Sequence, residues 1–255
     1  MTGTDVGGEA AGAFFDLDGT LLAAPSLEWR FLGYLLERDE ISSARVGTWL
    51  AGFAENIWRD LHRAIEGNKR YLCGISEELV SDWERSLAAE YISGRSLGFF
   101  DEALQRIEWH RAQGHRLFIV SGTLAPLADV AARRLAAWAA TEIEVRSTEL
   151  EVAPGWARVW SGQIAGEHMS GGAKLRAVRR FAVRYGIDLA RSYAYGDSLG
   201  DLRMLEVVGK PVAVNPTRDL ARVARKRGWE SCEWEKTLEE IPDAVAQQLA
   251  SGAAR

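Results

Sequence analysis

The sequence predicts an α/β protein with a mainly parallel, doubly wound sheet, a Rossmann-like core, and a small inserted all-helical cap. Two observations support this fold class. Short apolar runs alternate with helical patterns along the second half of the 255-residue chain, as in proteins whose parallel strands are joined by helices. By contrast, about seventy residues near the start show only the periodicity of amphipathic helices.

The first predicted strand is the apolar run that ends immediately before Asp16-Leu17-Asp18-Gly19-Thr20-Leu21. Side chains two residues apart in a strand point to the same side, so Asp16 and Asp18 would share a pocket if the extended geometry persists to Asp18. Two carboxylates that lie close together repel each other unless a cation or a shared proton relieves the repulsion. The end of this strand is therefore a candidate site, although Asp-x-Asp-Gly is also common in simple turns.

Three helices are predicted after this strand, with no strand among them. Ser26 is a suitable N-cap for the first helix, Ser42 or Ser43 for the second, and the third follows Ser76. These helices would form a cap that is inserted into the core after its first strand.

We expect the chain to be divided into a core and this cap. The α/β core would consist of residues 12–22 and 99–250, the helical cap of residues 23–98, and flexible tails of residues 1–11 and 251–255. The first eleven residues lack the basic and apolar regions of a signal peptide, which is consistent with such a tail.

The rest of the chain alternates between predicted strands and helices. The predicted strands cover residues 115–121, 142–147, 192–195 and 211–214, with a hairpin between residues 152 and 164. The predicted helices cover residues 101–113, 126–138, 173–185, 199–208, 217–227 and 236–250. Such alternation implies a parallel sheet with helices on both faces, and ligands of such sheets bind beyond the carboxyl ends of the strands.

Polar residues follow three of the predicted strands. Asp16 and Asp18 follow the first strand, Ser121 ends the second, and Asp197 follows a later one. Alone, a turn or a helix cap is the better explanation for Asp16 and Asp18 and for Ser121, and an equally good one for Asp197. Because three separate strand ends have suitable groups, we expect one common site.

The acidic residues suit phosphoryl transfer. Asp16 is the candidate nucleophile, since a carboxylate can form an aspartyl-phosphate, and Asp18 is the candidate general acid and base. Mg²⁺ prefers oxygen ligands, which Asp16, the backbone carbonyl of Asp18, and Asp197 could supply. Asp201, four residues after Asp197, could be a further ligand or orient one through its waters.

Three further groups are candidates for binding the phosphate. Ser121 and the amide of Gly122 could donate hydrogen bonds to its oxygens at the approach to a helix. Lys174 follows two glycines at a predicted helix start and could act as a point charge for the phosphate and the nucleophile. A solvated position on the helix is the simpler alternative for this lysine.

Composition limits the classes of partner. The net charge of −5 argues against nucleic acid as a partner, because nucleic-acid-binding proteins usually have a basic face. No apolar run approaches the ~18 residues of a membrane helix, so no membrane association is expected. The two cysteines, far apart in sequence, indicate a reducing compartment and hence a cytoplasmic location.

Four segments together resemble the motifs of the haloacid dehalogenase superfamily. They are Asp16-Leu17-Asp18-Gly19-Thr20-Leu21, Val120-Ser121-Gly122-Thr123, Lys174, and Gly196-Asp197-Ser198-x-x-Asp201. The resemblance extends over about residues 12–230, and the helical insertion looks like the cap of the phosphoserine-phosphatase-like branch. It implies the same roles as those given above for Asp16, Asp18, Ser121, Lys174 and Asp197.

The second aspartate of the first motif also bears on the reaction. Dehalogenases of the superfamily lack an acid at the position of Asp18, because a halide leaving group needs no proton. The resemblance therefore implies a Mg²⁺-dependent phosphatase that acts on a small phosphorylated metabolite, with phosphoserine and histidinol phosphate as candidate substrates. A phosphotransferase or phosphomutase, and a phospho-ligand-binding protein without turnover, remain as alternatives, and the oligomeric state is not predicted.

The cap offers several candidates for substrate contact. Glu28 lies near its start and is a candidate substrate-binding residue. Phosphoserine phosphatases have a cap glutamate nearer the first motif, where this chain has Pro25. Arg63, Lys69 and Arg70 could line the cap face, but solvated surface positions are expected for them.

Overall fold

The strands and helices are described by a computed structural model, which covers residues 10–42, 44, 46–47, 69–92, 97–155 and 158–235. The strands are β1 (Gly12–Phe15), β2 (Arg116–Leu124), β3 (Ile143–Thr148), β4 (Leu150–Val152), β5 (Trp160–Ile164), β6 (Tyr193–Gly196), β7 (Lys210–Val214) and β8 (Glu230–Cys232). The α-helices are α1 (Leu27–Glu37), α2 (Glu78–Ile92), α3 (Asp101–Ala112), α4 (Ala125–Ala139), α5 (Gly172–Tyr185), α6 (Leu202–Val207) and α7 (Arg218–Arg227). Short 3₁₀ helices cover Arg70–Leu72 and Leu199–Asp201.

Six strands form one sheet in the order β3-β2-β1-β6-β7-β8, and every neighbouring pair is parallel. The predicted α/β fold class is therefore confirmed. Strand β1 lies between β2 and β6, so the carboxyl ends of these three strands are adjacent. The edge strand β8 is not predicted from the sequence, because its three residues show no apolar alternation.

Alternate residues of the central strands point to opposite faces of the sheet and enter two apolar clusters. Phe15, Ile119 and Val212 belong to one cluster, which also contains side chains of α1, α3 and α4. Phe14 and Phe118 belong to the other, which contains side chains of α5, α6 and α7. Helices therefore cover both faces of the sheet, as the alternation of elements predicts.

Helix α1 begins where the sequence predicts it. The Oγ of Ser26 accepts a hydrogen bond from the N–H of Trp29 at 3.4 Å and caps the helix. Leu27, Phe31 and Leu35 recur every fourth position and are fully buried or nearly so. They belong to the same apolar cluster as Phe15, so the start of the inserted segment packs directly against the core.

The chain leaves the core and returns to it at one place. The N–H of Ala23 donates to the carbonyl of Gly98 at 3.0 Å. The guanidinium of Arg30 donates to the carbonyls of Ala23 and Pro25, both at 2.7 Å, and to that of Leu97. One side chain thus holds the outgoing and the returning segments together.

The predicted hairpin is formed by the antiparallel strands β4 and β5. The N–H of Gly74 donates to the carbonyl of Trp160 at 2.8 Å, and the N–H of Trp160 donates to that of Ile75 at 2.9 Å. The hairpin therefore ties the inserted segment to the core through its backbone. The division into core and cap domains remains a prediction.

Two predicted helices fall largely or wholly outside the described residues. They are the second cap helix, after Ser42 or Ser43, and the helix at residues 236–250. The helix predicted over residues 199–208 is instead a 3₁₀ turn followed by α6. Among the described helices, none has the length and apolar character needed to cross a membrane.

Candidate active site

The adjacent carboxyl ends of β2, β1 and β6 border a pocket of about 340 Å³. All the residues predicted for the site line it: Asp16, Asp18, Glu28, Ser121, Gly122, Lys174, Asp197 and Asp201. The strand ends supply most of them, the first turn of α5 supplies Lys174, and α1 supplies Glu28. The structure thus brings the predicted residues together around one cavity.

Lys174 lies at the centre of a buried ionic cluster. Its Nζ is 2.5 Å from Oδ1 of Asp16 and also donates to Oδ1 of Asp201. Burial opposes the charged form of this lysine, but the attraction of the two carboxylates outweighs it and raises the pKa of Lys174. The alternative of a solvated helix residue is therefore wrong, since Lys174 is only 3% exposed.

The cluster has an excess of negative charge. Burial, together with repulsion from other carboxylates, raises the pKa of Asp16 to about 7 and that of Asp197 to about 8, although Lys174 opposes both shifts. One oxygen each of Asp16, Asp197 and Asp201 lies within 4.8 Å of the others. A divalent cation such as Mg²⁺, bound beside this cluster, would relieve the repulsion.

Asp201 organises the loop that holds Asp197. Its Oδ2 accepts the N–H of Asp197 at 3.1 Å and the N–H of Ser198 at 3.0 Å, while its Oδ1 accepts from Lys174. Because both oxygens already have partners, a supporting role fits this residue better than direct ligation.

Glycine is required where two of these loops approach each other. Gly19 has φ +85°, and a Cβ at this position would lie 2.6 Å from Oδ2 of Asp197. The turn after β1 can therefore lie against the Asp197 carboxylate only if residue 19 has no side chain.

Asp18 is held by two donors. Its Oδ2 accepts the hydroxyl of Thr123 at 2.6 Å, and its Oδ1 accepts the N–H of Leu27 at 2.9 Å. Burial raises the pKa of Asp18, and these two hydrogen bonds oppose the shift. The sequence alone predicts no role for Thr123, although this residue lies in the segment Val120-Ser121-Gly122-Thr123 that resembles a family motif.

The segment that contains Ser121 leaves the regular ladder of the sheet. Strand β2 continues to Leu124 rather than ending at Ser121, but Val120 pairs with Arg146 and Leu124 pairs with Thr148. Three residues of β2, Ser121–Thr123, therefore lie opposite the single residue Ser147 of β3 and form a bulge at the strand end. The Oγ of Ser121 lies 3.0 Å from the Thr123 hydroxyl and is buried.

The inserted segment contributes an ion pair to the pocket. The Nζ of Lys69 lies 2.7 Å from both carboxylate oxygens of Glu28, and the hydroxyl of Tyr71 also donates to Glu28. The expected surface position for Lys69 is wrong, because this residue is buried at 5% exposure. Arg70 is exposed as expected, and Arg63 lies outside the described residues.

His168 also lines the pocket and is not among the residues predicted from the sequence. It packs against Gly122 so closely that a Cβ at residue 122 would lie 2.9 Å from its Cε1. Burial, and then the positive charge of Lys69, lower the pKa of His168 to about 4, so the ring is neutral at pH 7. No sequence signal distinguishes this histidine from a surface residue.

Comparison with known families matches residues 13–206 to the haloacid dehalogenase-like hydrolases. The match covers most of the chain, which therefore belongs to this family, and the predicted family is confirmed. The relatives include several phosphatases, and this chain is a phosphatase.

Two curated relatives illustrate the similarity. Phosphoserine phosphatase SerB1 of Mycobacterium tuberculosis is 30% identical over 264 residues, which cover 96% of this chain and 77% of the relative. Histidinol-phosphatase of Neisseria meningitidis is 25% identical over 229 residues, which cover 85% of this chain and 96% of the relative.

A solved structure supports the fold. The crystal structure of a protein of unknown function from Bordetella pertussis matches with a TM-score of 0.70 at 24% sequence identity. The match covers 90% of this chain and 99% of that one, so the two folds correspond over nearly their whole length.

Proposed function

We propose that this phosphatase hydrolyses a small phosphomonoester through a covalent aspartyl-phosphate on Asp16 and requires Mg²⁺. The observation that supports the proposal most directly is the buried contact of 2.5 Å between Asp16 and Lys174 beside two further carboxylates. A surface turn would not need such an arrangement, whereas an anionic nucleophile that must meet an anionic substrate does.

Asp16 is the nucleophile in this proposal. The contact with Lys174 fixes one of its oxygens and leaves the other for attack on phosphorus. Lys174 also offsets the repulsion between the carboxylate and the phosphate, which otherwise opposes their approach.

Asp18 is the proposed general acid and base. Burial raises its pKa, which favours retention of a proton for the leaving alkoxide. Once that proton is transferred, the same carboxylate can accept a proton from the water that hydrolyses the acyl phosphate. Thr123 and Leu27 keep the group in one orientation during both steps.

Asp16 and Asp197, with the backbone carbonyl of Asp18, are the proposed protein ligands of Mg²⁺, and Asp201 supports them. When bound, the cation would supply electrostatic stabilisation of the charge on the transferred phosphoryl group. Ser121, the Gly122 amide and Lys174 are the proposed partners of the phosphate oxygens, because all three line the same pocket.

The names of the relatives suggest the first substrates to test, phosphoserine and histidinol phosphate, with Glu28 as a proposed contact for the leaving group. Transfer of the phosphoryl group to a second alcohol is the alternative reaction. Product analysis with an added alcohol separates the two, because hydrolysis gives only free phosphate. A cytoplasmic location remains a prediction from the cysteine content.

Substitution of the nucleophile tests the proposal. Asp16→Asn should reduce phosphate release from a chromogenic monoester by at least about a thousand-fold, because the attacking oxygen is lost. Labelled phosphate should be trapped on acid-quenched wild-type protein and not on the variant. Asp219→Asn is the matched control, since Asp219 is exposed on α7 and pairs only with Arg222 among the described residues. Substantial turnover by Asp16→Asn would refute the assignment.

A further inference from the structure

The inserted segment contributes one wall of the pocket. This wall would contact the part of the substrate that lies beyond its phosphate. Ser26, Glu28 and Lys69 line the same cavity as Asp16 and Lys174. In a phosphomonoester the phosphate is consumed by the chemistry at Asp16, so these groups would face the alcohol that leaves. Their charges should therefore determine which alcohols are accepted.

The charges at this wall are already paired with each other. Both oxygens of Glu28 are 2.7 Å from Nζ of Lys69, and the Tyr71 hydroxyl donates to the same carboxylate. The side chain of Lys69 is 6% exposed and that of Glu28 is 20% exposed, so water screens the pair only weakly. Among the described residues of this wall, the two formal charges cancel.

This pairing has a consequence for charged leaving groups. A substrate ammonium could reach Glu28 only by displacing Lys69, which would leave a buried cation without its counter-ion. A leaving group with hydroxyls needs no such exchange, because it can hydrogen-bond to Ser26 and to the ammonium of Lys69, both of which line the cavity. The neutral His168 ring adds no charge to the same cavity.

We propose, on the basis of the function proposed above, that Ser26, Glu28 and Lys69 form a leaving-group subsite that selects uncharged, hydroxyl-bearing alcohols. Monoesters of a polyol, such as a glycerol phosphate or a sugar phosphate, are then better substrates than monoesters of amino alcohols. The carboxylate of Glu28 is already paired with Lys69, so it holds the side chains of Lys69 and Tyr71 in place and does not bind a substrate cation.

Wild-type specificity tests the proposal directly. The ratio of kcat/KM for glycerol 3-phosphate to that for O-phosphoserine, and to that for histidinol phosphate, should be at least about ten. A preference for either amino phosphate overturns the inference. If the wild-type protein hydrolyses neither these esters nor a chromogenic one with Mg²⁺, the proposed function itself has failed, so the two failures are distinguishable.

Variants of the ion pair provide a second test. Lys69→Met leaves the Glu28 carboxylate unpaired, so the ratio of histidinol phosphate to glycerol 3-phosphate in kcat/KM should rise about tenfold. The double variant with Lys69→Met and Glu28→Gln removes both charges and should return the ratio to the wild-type value. Because each ratio compares two substrates on one preparation, partial unfolding cancels. An unchanged ratio in Lys69→Met would overturn the proposal.

Discussion

Thr123 determines which way the carboxyl group of Asp18 faces. Its hydroxyl and the N–H of Leu27 each occupy one oxygen of Asp18, so the group is held between the end of β2 and the start of α1. A general acid must meet the leaving oxygen within hydrogen-bonding distance, and an acid that rotates freely loses that geometry. The hydroxyl of Thr123 therefore acts as a positioning group.

Thr123→Val removes this hydroxyl and keeps the shape of the side chain. We expect kcat for an alkyl phosphate to fall by about 10- to 100-fold, since its alkoxide must be protonated as it leaves. A nitrophenyl phosphate, whose leaving group needs little help, should lose much less. The comparison of kcat for the two esters checks this, with Thr141→Val as the control, because Thr141 follows α4 outside the pocket. Equal losses on both esters would contradict the positioning role.

The effect of a glycine on the stability of the fold differs between β6 and α1. At the end of β6, a Cβ on Gly196 would lie 2.4 Å from Cβ of Asp201, a contact that the backbone must move to relieve. In the middle of α1, a Cβ on Gly33 would meet no atom within 4 Å. The first glycine is required by the loop that holds Asp197, whereas the second only weakens its helix.

A matched pair of substitutions tests this contrast. Gly196→Ala should lower the free energy of unfolding by about 1–3 kcal/mol through overpacking, and should also weaken Mg²⁺ binding because Asp201 is displaced. Gly33→Ala should instead raise it by about 0.5–1 kcal/mol. Urea unfolding of both variants gives the two values. A stabilising effect of Gly196→Ala would show that the β6 loop is not closely packed.

The alternation of elements explains how far the site is predictable from sequence. In a parallel sheet all the strands end on the same side, so the alternation of elements is enough to place Asp16, Ser121 and Asp197 on that side. That β1 lies between β2 and β6 is known only from the structure. The partner of Lys69 is 41 residues away on another element, and no local pattern reveals such a pair. The sequence therefore predicts a surface position where the fold makes a buried one.

Short and polar elements are also difficult to predict from the sequence. Strand β8 has only three residues and takes its conformation from backbone pairing with β7. The 3₁₀ turn at Leu199–Asp201 exists because the Asp201 side chain caps the preceding backbone, and the side chain of Ser198 completes that capping box. In both cases tertiary contacts, rather than apolar periodicity, determine the element.

The protein as a whole contains a cluster of acids that destabilises the metal-free fold at neutral pH. Asp16 and Asp197 titrate near 3.8 when unfolded, but burial and charge repulsion raise the pKa values to about 7 and about 8 in the folded chain. Between these limits the folded state binds more protons than the unfolded state. The contribution of these two groups to the free energy of unfolding is therefore fully present below pH 3.8, and it is lost as the pH rises through 7 and 8.

Mg²⁺ should reverse this loss. Because carboxylates bind metal only when deprotonated, Mg²⁺ should raise Tm more at pH 8 than at pH 6. Thermal unfolding with Mg²⁺ and with a chelator, at both pH values, measures the difference. In Asp197→Asn most of the Mg²⁺-dependent shift should disappear. A shift of equal size at both pH values would argue that these carboxylates are not the ligands.

The hydrogen bonds of Arg30 to the carbonyls of Ala23, Pro25 and Leu97 bear on how far the inserted segment can vary. Arg30 holds the chain at Ala23, where it leaves the core, beside the chain at Leu97, where it returns. The spacing between β1 and β2 therefore does not depend on the length of the segment between α1 and Leu97. The part of the insertion beyond α1 can therefore differ in length or sequence without moving Arg30, the Leu27 N–H that holds Asp18, or the strand ends that bear Asp16 and Ser121.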